Sequence, residues 1–279
     1  MKIVPLSKEK HHNWSYTGLP HYLHTIKDSI VPILIAEIGR LVSTNPMVFI
    51  EEEEKIGLFS LQSLLPEMNL MINREGLWIN DYIPARYRSL PFVLASDQKD
   101  KTGKEKILCY IENLNCVGQT FDKESTKIFN EKGELSENMQ RVFEFLQSIE
   151  QNELATKTAL SAIKKADLLQ DWKLSLKLSD GEKQMTGLRI VNIEKLKALP
   201  AAILEDLNKS GGLDICFASY LSLNNLNKLK DIVISKTSEA KNKKEPQKTQ
   251  SLRDLTLEKQ KKAQKAEMDT LVKDLLLDE

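Results

Sequence analysis

Apolar residues recur along this chain in two rhythms. Between residues 47 and 112 they gather in short runs, "MVFI", "GLFSL", "NLMIN", "GLWIN", "FVLA" and "KILCYIE", separated by charged or glycine-containing turns, and such runs predict antiparallel strands. Elsewhere they recur every three or four positions. Residues 30–42 are predicted as one helix that stops near "STNP", where Asn45 and Pro46 punctuate the chain. Over residues 136–169 the spacing of Val142, Phe145, Leu146, Ile149, Leu154, Leu160 and Ile163 predicts an amphipathic helix or helix pair covering the sheet, with Ser136 as N-cap and Glu137 in the first turn.

The stretch "WKLSLKLSDGEKQMTGLRIV" alternates apolar and polar residues on both sides of Asp180-Gly181. That dipeptide suits a hairpin turn because glycine accepts positive φ. A helix over residues 193–208, a turn at "KSGGLD", a strand "ICFASYL" and a short helix "LNNLNKLKDIV" complete the reading. The order predicts an α+β fold, an antiparallel β-sheet core with covering helices and a C-terminal charged helical tail. Residues 1–235 form the globular domain. Residues 236–250, "KTSEAKNKKEPQKTQ" from Lys236, form a polar linker, and residues 251–279 form a tail whose Met268, Leu271, Val272, Leu275 and Leu276 share one helical face, as a helix docking on a protein partner or a coiled-coil strand would.

Composition narrows the function. The chain has 279 residues, of which 41% are hydrophobic, enough for a substantial core. Lys plus Arg and Asp plus Glu both total 40, so there is no global positive field of the kind that supports nonspecific nucleic-acid binding. The longest apolar stretch, "SIVPILIAEIG", is interrupted by Pro32 and Glu37 and is short of the roughly 20 residues a membrane helix needs, so no transmembrane segment is expected. The start "MKIVPLSKEKHHNWSY" lacks an apolar signal region, which points to the cytoplasm or, alternatively, to the cell surface by a signal-peptide-independent route. Three cysteines without CxxC spacing, Cys109, Cys116 and Cys216, read as reduced, partly buried thiols.

Candidate chemistry is sparse. His11, His12, His21 and His24 all lie in one N-terminal segment without metal-ligand spacing, so no metal is expected there. Neither GxSxG, GxxxxGK[ST] nor GxGxxG occurs, leaving the catalytic residues unknown and no cofactor implied. The four glutamates Glu51 to Glu54 read as a strand end or exposed turn. The segment "GLWINDYIPARYRSLPF" stands apart in its aromatic, arginine and proline content. Pro84 cannot continue a β-ladder, so the chain turns there. If the backbone stays extended, Arg86 and Arg88 project together as a clamp for carboxylate or phosphate, with Trp78 and Tyr82 as pocket walls. Alternatively the arginines pair with Glu67, Glu75 or Asp81 and stack on Trp78 or Tyr87 to lock a corner.

The motifs "VPILIAEIGRLVSTNPMVFI", "NLMINREGLWINDYIPARYRSLPFVL", "DGEKQMTGLRIVNIEKLKAL" and "SGGLDICFASYLSLNNLNKL" together resemble the bacterial SapC family over residues 3–235. The matching positions include Pro32, Glu37, Pro46, Phe49, Trp78, Tyr82, Ile83, Pro84, Arg88, Pro91, Phe92, Asp180, Gly181, Gly187, Leu188, Ser222 and Leu223. "GLFSL" departs from the LGL-like run of relatives, and the charged tail is an addition. The resemblance implies a protein named for association with a paracrystalline surface layer, whose relatives are encoded near outer-membrane receptors, flavin halogenases or cupin-like proteins. It carries over no catalytic residue. A peptide-transporter permease that shares the family's letters is excluded by the absence of membrane spans. Two functions are therefore expected: an envelope- or surface-layer-associated accessory protein acting by protein contacts or, alternatively, a small-ligand-binding protein or enzyme with an anion pocket at Trp78, Tyr82, Arg86 and Arg88, with His21 or His24 at its edge.

Overall fold

The computed structural model describes residues 2–96, 106–119, 125–178 and 181–242. The chain divides into a compact unit over Met1–Val233 and a second over Ile234–Glu279. In the first unit, strands β3 (Ile30–Pro32), β4 (Met47–Glu52), β5 (Lys55–Leu61), β10 (Leu169–Leu178) and β11 (Gly181–Val191) form an antiparallel sheet in the order β10-β11-β4-β5-β3. A second sheet joins β1 (Ile3–Pro5), β7 (Lys106–Ile111) and β6 (Phe92–Ser96), and a third joins β8 (Val117–Gly118), β2 (Ser15–Tyr16) and β9 (Thr126–Lys127). The helices are α1 (Lys8–His11), α2 (Ile38–Leu41), α3 (Ala85–Arg88), α4 (Glu137–Lys165), α5 (Ile193–Lys197), α6 (Ala201–Ser210), α7 (Gly212–Ser222) and α8 (Leu226–Asn242). The fold is α+β, as expected. Among the described residues no helix is long and apolar enough to cross a membrane.

Period-two alternation explains the layers. Along β4, Met47 and Phe49 enter a core shared with α4, α6 and α7, whereas Val48 enters a second core with Leu61, Leu70 and Leu188. The sheet is thus buried on both faces. Helix α4 starts where expected, with Ser136 Oγ accepting the Met139 N–H, and its first half covers a third core around Phe92, Tyr110 and Met139. The β10–β11 hairpin forms, pairing Leu178 with Gly181; Asp180 lies outside the described residues. Glu51 and Glu52 end β4, and Glu53 and Glu54 make the turn at positive φ. The three cysteines are free and buried.

Four expectations need correction. Residues 30–42 are not one helix: residues 30–32 form the edge strand β3, followed by a 3-10 turn (Ile35–Glu37) and the single turn α2. Pro32 has no N–H to give a helix but is tolerated on a sheet edge. "NLMIN" and "GLWIN" do not form a ladder. They share only the Ile72–Trp78 bridge, because Asn73 Oδ1 accepts the N–H groups of Glu75 and Leu77, and Gly76 turns the chain at φ +83 where a Cβ would strike Leu23. The helix expected over residues 193–208 is broken by Pro200 into α5 and α6.

"ICFASYL" is a helix, not a strand. Gly212, Ile215, Cys216, Ser219 and Ser222 are its buried residues, a helical spacing, and Gly211 launches it from φ +76. Ser219 Oγ donates to the Met47 carbonyl at 2.9 Å, and Met47 N–H donates to Ser222 Oγ at 2.8 Å. Two hydroxyls thereby satisfy a buried strand residue that a β-reading of "ICFASYL" would leave to another strand. Helix α8 runs past Lys236 to Asn242; the predicted tail over residues 251–279 lies outside the described residues.

Candidate functional site

Pro84, with φ −54 and ψ 143, stands immediately before α3, so Ala85–Arg88 is one helical turn rather than an extended stretch. Two residues apart on a helix, Arg86 and Arg88 diverge by about 200° and cannot clamp one anion. The structure gathers Trp78, Tyr82 and Arg88 and leaves Arg86 outside the group.

The gathered residues close on a side chain buried in an apolar stretch of sequence. Glu37, only 3% exposed, accepts Tyr82 Oη–H at 3.1 Å and Ala85 N–H at 2.7 Å on Oε1, and Leu34 N–H at 2.8 Å on Oε2. Arg88 Nη2 donates to Tyr82 Oη at 2.9 Å, and its Nε donates to the Ile83 carbonyl at 2.9 Å. The guanidinium lies 5.1 Å from the Tyr82 ring centroid and 5.0 Å from that of Phe145 on α4. Trp78 Nε1 donates to the Tyr82 carbonyl at 3.0 Å, and its ring packs against Tyr22 and Tyr87 at the junction of the two cores of the main sheet. Burial and then the neighbouring Glu37 hold the Tyr82 hydroxyl above the ordinary phenol range. The corner is locked, though by a carbonyl, a hydroxyl and two rings; neither arginine ion-pairs with Glu67, Glu75 or Asp81.

Arg86 is exposed, and among the described residues its guanidinium makes no hydrogen bond or ion pair. It borders two clefts, both also lined by Pro32. The first, about 180 Å³, lies between the sheet edge at Pro32–Leu34 and Ile56–Leu58 and one face of α4, where Ile149, Glu153, Thr156, Lys157 and Leu160 follow helical spacing. Thr156 Oγ1 accepts Ile35 N–H at 2.9 Å and ties that edge to α4. The second cleft, about 470 Å³, brings Arg86 near His24, Asp28 and Tyr87. There Tyr87 Oη–H donates to Asp28 Oδ2 at 2.9 Å, while the buried His24 Nε2 has no partner among the described residues. Burial lowers the His24 pKa, partly offset by Asp28.

Of the histidines expected near the pocket, His24 lines the second cleft and His21 packs by Gly76. The anchoring role of Glu37 was not foreseen; its signal is a lone carboxylate inside "PILIAEIG". Lys157 and Thr156 carried no signal beyond their place on the α4 face.

No curated protein and no solved structure matches the chain. The SapC family model matches residues 6–229, a span that takes in the main sheet, the corner, the first cleft and all of the second but Ile3. This chain belongs to the SapC family.

Proposed function

We propose that this SapC-family protein is an accessory protein of the bacterial envelope or surface layer that acts by protein contacts. The observation that carries the reading is the outer face of α7. Its inner face is fixed to β4 by Ser219 and Ser222, while Phe217, Tyr220 and Leu221 stand 45%, 44% and 51% exposed at i, i+3 and i+4. The apolar positions Met268, Leu271, Val272, Leu275 and Leu276 of the tail supply a second candidate contact. Fractionation of native cells tests the reading. The wild-type chain is expected with the envelope, and Phe217→Glu/Tyr220→Glu/Leu221→Glu or deletion of residues 251–279 shifts it to the soluble fraction with little change in melting temperature. A wild-type protein found wholly in the soluble fraction, or variants that partition as it does, overturns it.

A second reading, a small-ligand-binding protein or enzyme with an anion pocket beside Trp78–Arg88, is favoured by the free guanidinium of Arg86 at two clefts. A panel of small anions scanned by thermal shift tests it: at least one stabilises the wild type and not Arg86→Ala. No such anion means no such pocket.

A further inference from the structure

We infer that the 180 Å³ cleft between the sheet edge and α4 binds a monocarboxylate with an apolar body of about six to eight carbon atoms, its carboxylate held at the mouth by Arg86. This rests on the ligand-binding reading above and names the ligand class. The walls dictate the body: Ile33, Leu34, Ile56, Leu58, Ile149 and Leu160 present branched aliphatic surface. A dry apolar cavity of about 150 Å³ admits a benzene-sized guest, so this volume takes a short alkyl chain or one ring.

The rim dictates the head group. Glu37 borders the cleft, but its oxygens already accept three protein donors, and Arg88 reaches it through Tyr82. That leaves Arg86, Lys157 and Glu153, none of which has an ion-pair partner among the described residues. The four charged lining residues, Arg86 and Lys157 against Glu37 and Glu153, balance to zero formal charge. A monoanion pairing with Arg86 adds one negative charge to that balance, whereas a phosphate dianion would add two beside Glu153 and Glu37. The planar guanidinium matches a carboxylate with two parallel N–H donors, and Thr156 is occupied by Ile35 and Asn152.

Calorimetric titration of the full chain with octanoate, hexanoate and phenylacetate tests the inference, against octanol, octylamine, acetate and inorganic phosphate. Octanoate is expected to bind at least tenfold more tightly than acetate, octanol or octylamine. Arg86→Ala and Lys157→Glu, both at exposed positions, weaken octanoate at least tenfold, and Arg86→Lys recovers part of the loss. Ile149→Trp, which fills the cleft, abolishes binding; if that variant does not fold, the two charge variants decide. Phosphate binding that needs Arg86 without octanoate binding overturns the ligand class and leaves the anion reading standing. Octanol binding as tightly as octanoate removes the role of Arg86. If nothing on the panel binds, the inference and the reading fall together.

Discussion

Arg86 and Arg88 share one helical turn, yet they face different kinds of environment. Arg88 turns toward α4, donates from Nη2 to Tyr82 and from Nε to Ile83, and lies against two aromatic rings. Arg86 turns toward the sheet edge, where two clefts meet and no described side chain answers its charge. The contrast separates a part of the molecule built to hold its own shape from a part left open. Around Arg88, bonds from Nε and Nη2 and two flanking rings fix the exposed side chain to the corner. Around Arg86 a ligand meets a guanidinium that makes no bond to any described group.

The contrast can be broken most forcefully at Glu37. Glu37→Ala strands two backbone N–H groups and the Tyr82 hydroxyl, and should lower the unfolding free energy by about 3–5 kcal/mol in urea titrations. A loss below about 1 kcal/mol would mean that the corner does not depend on that carboxylate. Alkali is the next lever. Tyr82 and Tyr87 both have folded-state hydroxyl pKa values raised by burial and by a neighbouring carboxylate, Glu37 for Tyr82 and Asp28 for Tyr87. The folded state therefore keeps protons that the unfolded chain releases above about pH 10. Stability from this source is complete below that pH and declines above it. Tyr82→Phe should be less stable at pH 7 by about 1–2 kcal/mol and should lose less than the wild type between pH 10 and 11. An unchanged alkaline slope would remove Tyr82 from the account. The smallest effect is at the open side: Arg86→Ala should change stability by less than about 0.5 kcal/mol, because its guanidinium makes no described bond to lose.

The sequence exposed the fold unevenly. Strands β4 and β5, the β10–β11 hairpin and the start of α4 follow from local signals: period-two alternation, glycine at a turn and a serine N-cap. "ICFASYL" misleads because short apolar runs fit either period, and the deciding facts, the bonds of Ser219 and Ser222 to Met47, join residues more than 170 positions apart. The site was half legible. "GLWINDYIPARYRSLPF" marked the corner and named Trp78, Tyr82 and Arg88, but Pro84 preceding a helical turn sends the two arginines apart where an extended backbone would have joined them. The rest of the site comes from far along the chain: Phe145 and Lys157 on α4 and Glu37 before α2 meet Arg88 or Arg86 only through tertiary packing.

Measuring Arg86→Ala and Arg88→Ala side by side, for urea stability and for the melting-temperature rise with octanoate, tests the division of labour most directly. Arg88→Ala is expected to lose about 1–2 kcal/mol and keep the octanoate shift, while Arg86→Ala keeps its stability and loses the shift. Equal stability losses in the two variants, or an octanoate shift that survives in Arg86→Ala, would contradict it.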